Sequence, residues 1–257
     1  MCLIAFAYKI SKEYPLILIA NRDEFYDRPT QKAHYWDEEM QPEILAGKDL
    51  KGGGTWFGVS KNGKWAAVTN HRDIENIKED APTRGDLIPN FLASAETGEE
   101  YLSNLREEAS KYNGFNLLVG DEKGLFHYSN ITDEITEIQP GIHGVSNALL
   151  NTPWPKLEVA KNELEDKIQK NTIDQETLFS ILKNEKKAVL HQLPNTGLTK
   201  ELEMAISSIF IDTKGYGTRC STLLFIDKNG GVKFVERTYN GGGLKNREDE
   251  SFKFHSL

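Results

Sequence analysis

MCLIAFAYKISKEYPLILIANRDEFYDRP (residues 1–29) is the stretch from which the rest of the chain is read. LIAFAYK (3–9) and LILIAN (16–21) are β-rich runs joined by the polar turn SKEYP, so the chain opens as an antiparallel hairpin. If the turn centres near Lys12 and Glu13, facing residues have numbers summing to about 25. Cys2 then lies beside Asp23, and a slip of two residues either way leaves it among Asn21, Arg22, Asp23 and Glu24. A thiol, a guanidinium and two carboxylates meet at one end of a sheet. Cys2 is also the residue that loss of Met1 would turn into the N-terminus. The competing reading is a small hydrophobe entering a strand, the usual place of a free cysteine.

The cluster has a specific chemistry open to it. A free thiol titrates near ~8.5 and an α-amine near ~7.7–8.0, so an amine on the same residue can serve as base for the thiol. Arg22 would favour the thiolate. Asp23 could orient the amine by accepting its hydrogen bonds, and an oxyanion donor would have to come from elsewhere.

Beyond residue 29 the chain alternates hairpins with helix pairs. TWFGVS (55–60) and KWAAVTN (64–70) flank Asn62-Gly63, a strong hairpin signal. FNLLVGD (115–121) and LFHYSN (125–130) follow, and CSTLLFID (220–227) with VKFVERTY (232–239) closes the series across Asn229-Gly230-Gly231. Leu87, Ile88, Phe91, Leu92 and Ala95 recur at helical spacing, as do Tyr101, Leu102, Leu105 and Ala109. Residues 154–170 and 201–210 supply later helices. There is no linker and no internal repeat, so 1–257 is expected to be a single α+β domain.

Composition narrows the function. In 257 residues, 31 basic side chains stand against 39 acidic, a net charge of −8. That argues against a nucleic-acid or anionic-membrane surface; the best basic cluster, KNEKK at 183–187, is short. No apolar run approaches the length of a membrane span, and the start lacks the marks of a secretory signal. Two cysteines cannot make a disulfide framework, so a cytoplasmic location is expected. KGGGTWFG lacks the ending and context of a phosphate loop and reads as a glycine turn. His71-Arg72-Asp73 has no kinase surroundings. The histidines at 34, 71, 127, 143, 191 and 255 show no metal spacing, and C-x-x-C-H is absent, so no metal or covalently held haem is expected.

MCLIAF, ANRDEFYDRP, GGGTWFGVSKNGKWAAVTNHRD and GTRCSTLLFID…VKFVERTY together resemble the NRDE family, also called the transport and Golgi organisation 2 family, almost end to end. More distantly the layout resembles N-terminal-nucleophile hydrolases of the penicillin V acylase and bile salt hydrolase type. That resemblance implies a four-layer α-β-β-α sandwich of two mainly antiparallel sheets, with a cysteine nucleophile exposed by loss of the initiator methionine. Cys2 matches the nucleophile. Arg22 and Asp23 occupy the region that holds its amine, but they are adjacent here and separated in the acylases, which leaves Asp23 and Glu24 as rivals. GVSKNGKWAAVTN maps the oxyanion asparagine onto Asn70. SNALLNTPW leaves Asn147 and Asn151 as rivals, with Asn151 taken, and Arg219 matches the late active-site arginine. The implied activity is cysteine amidohydrolysis of a non-peptide C–N bond in a small substrate. The alternative, from what the resembled family is linked to, is a non-catalytic binding or trafficking protein for haem or acyl-CoA that uses the same pocket.

Overall fold

The computed structural model describes residues 2–36, 44–240, 243–244 and 247–256. The chain begins with strands β1 (Cys2–Tyr8) and β2 (Leu16–Phe25). It continues through β3 (Thr30–Tyr35), β4 (Ile44–Asp49), β5 (Phe57–Ser60) and β6 (Trp65–Asn70). Helices α1 (Leu87–Ala93) and α2 (Gly98–Arg106) precede β7 (Phe115–Gly120), β8 (Leu125–Ser129), β9 (Glu134–Glu137) and β10 (Gly141–Val145). Helices α3 (Pro155–Gln169), α4 (Gln175–Leu182) and α5 (Lys200–Ala205) follow. The last strands are β11 (Asp212–Thr213), β12 (Tyr216–Ile226), β13 (Gly231–Tyr239) and β14 (Arg247–His255).

These elements form two compact units, Met1–Asp27 with Pro140–Lys253, and Arg28–Gln139 with Phe254–Leu257. The first unit holds an antiparallel sheet in the order β10-β1-β2-β12-β13-β14, with β11 beside β12. Successive side chains of a strand point to opposite faces. Leu3, Ala5 and Ala7 of β1, with Ile17 and Ile19 of β2, therefore share one face. They pack with Leu157 and Leu164 of α3 and with Leu178, Phe179 and Leu182 of α4. The second unit is a meander in chain order from β3 to β9. Its core joins Ala66, Val68, Leu117 and Val119 to Ile88, Phe91 and Leu92 of α1 and to Tyr101 and Leu102 of α2. The fold class is α+β, as expected. Among the described residues no helix is long and apolar enough to cross a membrane.

Local chemistry sets several boundaries. Thr97 and Glu100 form a reciprocal capping box at the start of α2, satisfying two backbone donors that the helix leaves open. Gly63 (φ 84°) and Gly230 (φ 82°) take left-handed conformations in the two Gly-containing hairpin turns, where a side chain would be strained. The glycine turn at 52–54 packs against backbone: a Cβ on Gly54 would lie 2.2 Å from the carbonyl carbon of Gly85.

Two expectations need correcting. The helix read over 201–210 ends at Ala205. Ser207 Oγ donates to the Met204 carbonyl and Ser208 Oγ to that of Phe210, the hydroxyl competition that ends helices. The first hairpin has a seven-residue connection closed by a hydrogen bond from Lys9 N to the Pro15 carbonyl. Its centre is Lys12, so facing numbers sum to 24 and Cys2 pairs with Arg22 rather than Asp23.

Candidate functional site

That one-residue difference divides the Asn-Arg-Asp-Glu run between two faces of the sheet. Asn21 faces α4. Its Nδ2 donates to the carbonyls of Leu182 and Ile209, and its Oδ1 accepts from Ser221 Oγ at 2.6 Å. This residue ties β2 to its covering layer. Arg22 takes the opposite face, buried, with Cys2 across one strand boundary and Cys220 across the other. Asp23 returns to the Asn21 side, fully buried, its Oδ1 accepting from Thr218 Oγ1 at 2.7 Å. Glu24 turns onto its own strand end, where Oε1 accepts from the Phe25 amide.

The register with β12 shifts between Thr218 and Cys220. Arg219 is the extra residue of this bulge, and bulges re-aim side chains at strand ends. Its Nη1 donates to the Phe25 carbonyl at 2.7 Å. Burial, with Arg22 nearby, loosens the Arg219 guanidinium's hold on its proton. Both guanidiniums thus stand close to the Cys220 thiol, and Arg22 close to that of Cys2 as well.

The thiols differ in setting. Cys2 is half-buried and Cys220 fully buried. Burial pushes the Cys2 thiol up; Asp23 adds to this, while the Arg22 charge and the Asp23 backbone amide pull it down. The expected preference for thiolate therefore gives way to desolvation, and the resting sulfur is a neutral thiol. Burial, and then Glu236, push Cys220 well above the usual thiol range. The cysteines flank Arg22 two strand spacings apart, ~10 Å, which exceeds the ~7 Å reach of a disulfide.

The remaining residues fall as follows. Asn70 ends β6 in the second unit, half-buried and paired with Phe115. Asn151 (φ 57°) braces the turn after β10: its Oδ1 accepts from the Gly144 amide and its Nδ2 meets His143 Nδ1 at 3.0 Å. Asn147 is fully buried beside Ser146, whose hydroxyl donates to the Cys2 carbonyl at 3.1 Å. Of the two asparagines, Asn147 stands on the Cys2 side. Among the described residues no group of three or more His, Cys, Asp or Glu side chains is placed to hold a metal.

Sequence reasoning missed three groups here. Thr218, which grips Asp23, precedes Arg219 in the GTRCST motif and was within reach. Ser146 and buried Lys156 carry no local signal, because an isolated serine and a lysine in an amphipathic helix look like ordinary surface residues.

The fold is similar to that of a variant of conjugated bile acid hydrolase from Clostridium perfringens. The TM-score is 0.50 at 12% identity, over 100% of this chain and 98% of that one. This likeness concerns the fold alone, which is of the α+β class with two antiparallel sheets. Within that class, the family model described as Transport and Golgi organisation 2 matches residues 1–241, and the chain belongs to that family. Among its relatives, the Transport and Golgi organization 2 homolog of Mus musculus is 35% identical, with 99% of each chain covered. Transport and Golgi organization protein 2 of Drosophila melanogaster is 26% identical over 94% of this chain and 93% of its own.

Proposed function

We propose that this chain is a cysteine amidohydrolase that acts on a non-peptide C–N bond of a small substrate, with Cys2 as nucleophile after loss of Met1. The observation that carries this reading is the hairpin register. Because Cys2 faces Arg22, the amine end of Cys2 is directed to the level of Asp23. The neutral thiol then needs a base, and its own α-amine supplies one.

In the proposed reaction the amine takes the thiol proton and sulfur attacks the amide carbon. The carbonyl electron pair moves to oxygen, giving a tetrahedral oxyanion. Collapse breaks the C–N bond, and the ammonium hands its proton to the departing amine. Water then opens the thioester, its proton passing through the same amine, and the thiol is restored. Arg22 and Arg219 supply positive potential for the anionic sulfur and oxygen. Of the two rival asparagines we favour Asn147, because its neighbour Ser146 reaches the Cys2 carbonyl.

A second reading is a binding or trafficking protein for haem or acyl-CoA. The raised Cys2 thiol favours it, since a buried neutral thiol is inert unless a base activates it. One experiment separates the two. Protein whose intact mass shows loss of Met1 is assayed on a panel of labelled amides and for binding of haem and long-chain acyl-CoA. Cys2→Ser is expected to nearly abolish turnover. Processed protein that hydrolyses nothing but binds either ligand in the micromolar range overturns the hydrolase.

A further inference from the structure

We infer that Lys156, at the start of α3, is a positioning residue for Asp23: its buried ammonium opposes the burial that drives that carboxyl toward its neutral form, and so favours the charged form that accepts hydrogen bonds from the Cys2 amine. The role rests on the hydrolase reading; the pairing of the two charges does not.

Both groups are almost wholly out of solvent, Asp23 at 1% exposure and Lys156 at 5%. They share the helix-covered side of the first unit's sheet. Leu157, the next residue of α3, packs in the core that contains Leu3 and Ala5, and Asp23 lies on the same face as Leu3. One segment connects them. Lys156 Nζ donates to the Ile206 carbonyl, and five residues on the Ile211 amide donates to Thr218 Oγ1. That hydroxyl in turn donates to Asp23 Oδ1. The segment is pinned midway where Asn21 Nδ2 donates to the Ile209 carbonyl. Lysine and aspartate thus hold the two ends of one short, buried stretch.

The electrostatics agree with this geometry. Burial raises the Asp23 carboxyl, and of the side-chain charges opposing that rise Lys156 is the strongest, ahead of Arg22. The other groups near Asp23 are Cys2, Thr218, and Tyr216, whose hydroxyl donates to the Asp23 carbonyl. On α5, buried Glu203 accepts from Thr196 Oγ1. A buried carboxylate without a strong positive neighbour protonates instead. Protonation would matter chemically. An ionised carboxylate only accepts hydrogen bonds, whereas a protonated Asp23 would offer its O–H to the amine and occupy the lone pair that the thiol proton needs.

The test is a ¹³C-carboxyl NMR titration of Asp23 in the processed full-length protein. Lys156→Met is expected to tighten proton binding at Asp23 by about tenfold or more, and Lys156→Arg to hold it within about threefold of wild type. In turnover, Lys156→Met should move the acid limb of kcat to higher pH with KM unchanged, and Lys156→Arg should restore it. If Lys156→Met does not fold, coupling is reciprocal: Asp23→Asn should lower the titration of the Lys156 ammonium, read at ¹³Cε, by a like factor. An unmoved titration in whichever variant folds overturns the pairing. Coupled titrations with an unmoved acid limb in an active enzyme overturn the positioning role. Coupled titrations in a protein that hydrolyses nothing sink the hydrolase reading and leave the pairing standing.

Discussion

Among the described residues, six charged side chains are buried in the unit that carries Cys2 (Arg22, Asp23, Lys156, Glu203, Glu236 and Arg237), against Lys64 alone in the other. Both units are antiparallel sheets with helices packed on one face, so architecture does not account for the contrast. The second unit buries neutral groups that satisfy one another. Asn116 Nδ2 donates to Thr69 Oγ1, and Asn116 Oδ1 meets His127 Nε2 at 3.1 Å. Such pairs are close to neutral for stability. Its one charge, Lys64, spends its ammonium on the Ser94 and Glu96 carbonyls at the end of α1. Buried charges cost several kcal/mol unless well paired, and perturbed ionisable groups gather at functional sites. The contrast therefore points to the first unit, provided its structural charges can be told from its functional ones.

Arg237 is the structural case, and its removal should have the largest effect on stability. Its guanidinium makes bidentate contacts with Asp249 (2.7 and 2.6 Å) and Glu176 (2.5 and 3.2 Å), and stacks over Phe179. Arg237→Ala is expected to lose about 4 kcal/mol in urea denaturation, because truncating the buried side chain leaves a cavity against Phe179 and removes its charge-assisted hydrogen bonds. A loss under about 1 kcal/mol would remove the distinction between structural and functional charges.

The second unit gives the next largest effect. Burial lowers the His127 pKa to about 4 from an ordinary 6.5. Between those values the unfolded chain binds a proton that the native state refuses, so stability falls as pH drops from about 6.5 to about 4. The full loss is about 3 kcal/mol. His127→Gln, which can still donate to Asn116, should flatten that slope; a slope unchanged in the variant would place the acid sensitivity elsewhere.

Legibility followed a different division, between local signals and tertiary ones. Hairpins marked by Asn62-Gly63 and Asn229-Gly230, and helices with an apolar stripe such as Leu87-Ile88-Phe91-Leu92, could be read because turn chemistry and periodicity are local. Strands β3 and β14 could not, because their alternation is between half-buried and exposed residues, with charges along the strand. Helix α4 was also missed, although Asp174 caps it by accepting from the Thr177 amide. At the site, the grouping of Cys2 with Arg22 and Asp23 followed from pairing arithmetic. The face each occupies did not, because a turn centred on Lys12 rather than between Lys12 and Glu13 reverses every assignment. Lys156 depends on tertiary packing alone.

The smallest expected effect is the most diagnostic. Asp23 is a buried acid whose carboxyl burial raises even with Lys156 nearby, so its ionised form is a net burden on the fold. A group raised in this way gives stability that is present below its unfolded pKa and is lost as pH rises through the folded one. Asp23→Asn keeps an oxygen for the Thr218 hydroxyl and removes the charge. It should stabilise the protein at neutral pH by roughly 1 kcal/mol, as replacement of a functional but unfavourable group often does. The gain should fade as pH falls toward the ordinary carboxylate range, where wild-type Asp23 is itself neutral. Thermal unfolding of both proteins at neutral pH and near pH 4 reads the difference directly. A variant less stable than wild type at neutral pH would class Asp23 with Arg237, as a charge kept for the fold rather than for the chemistry at Cys2.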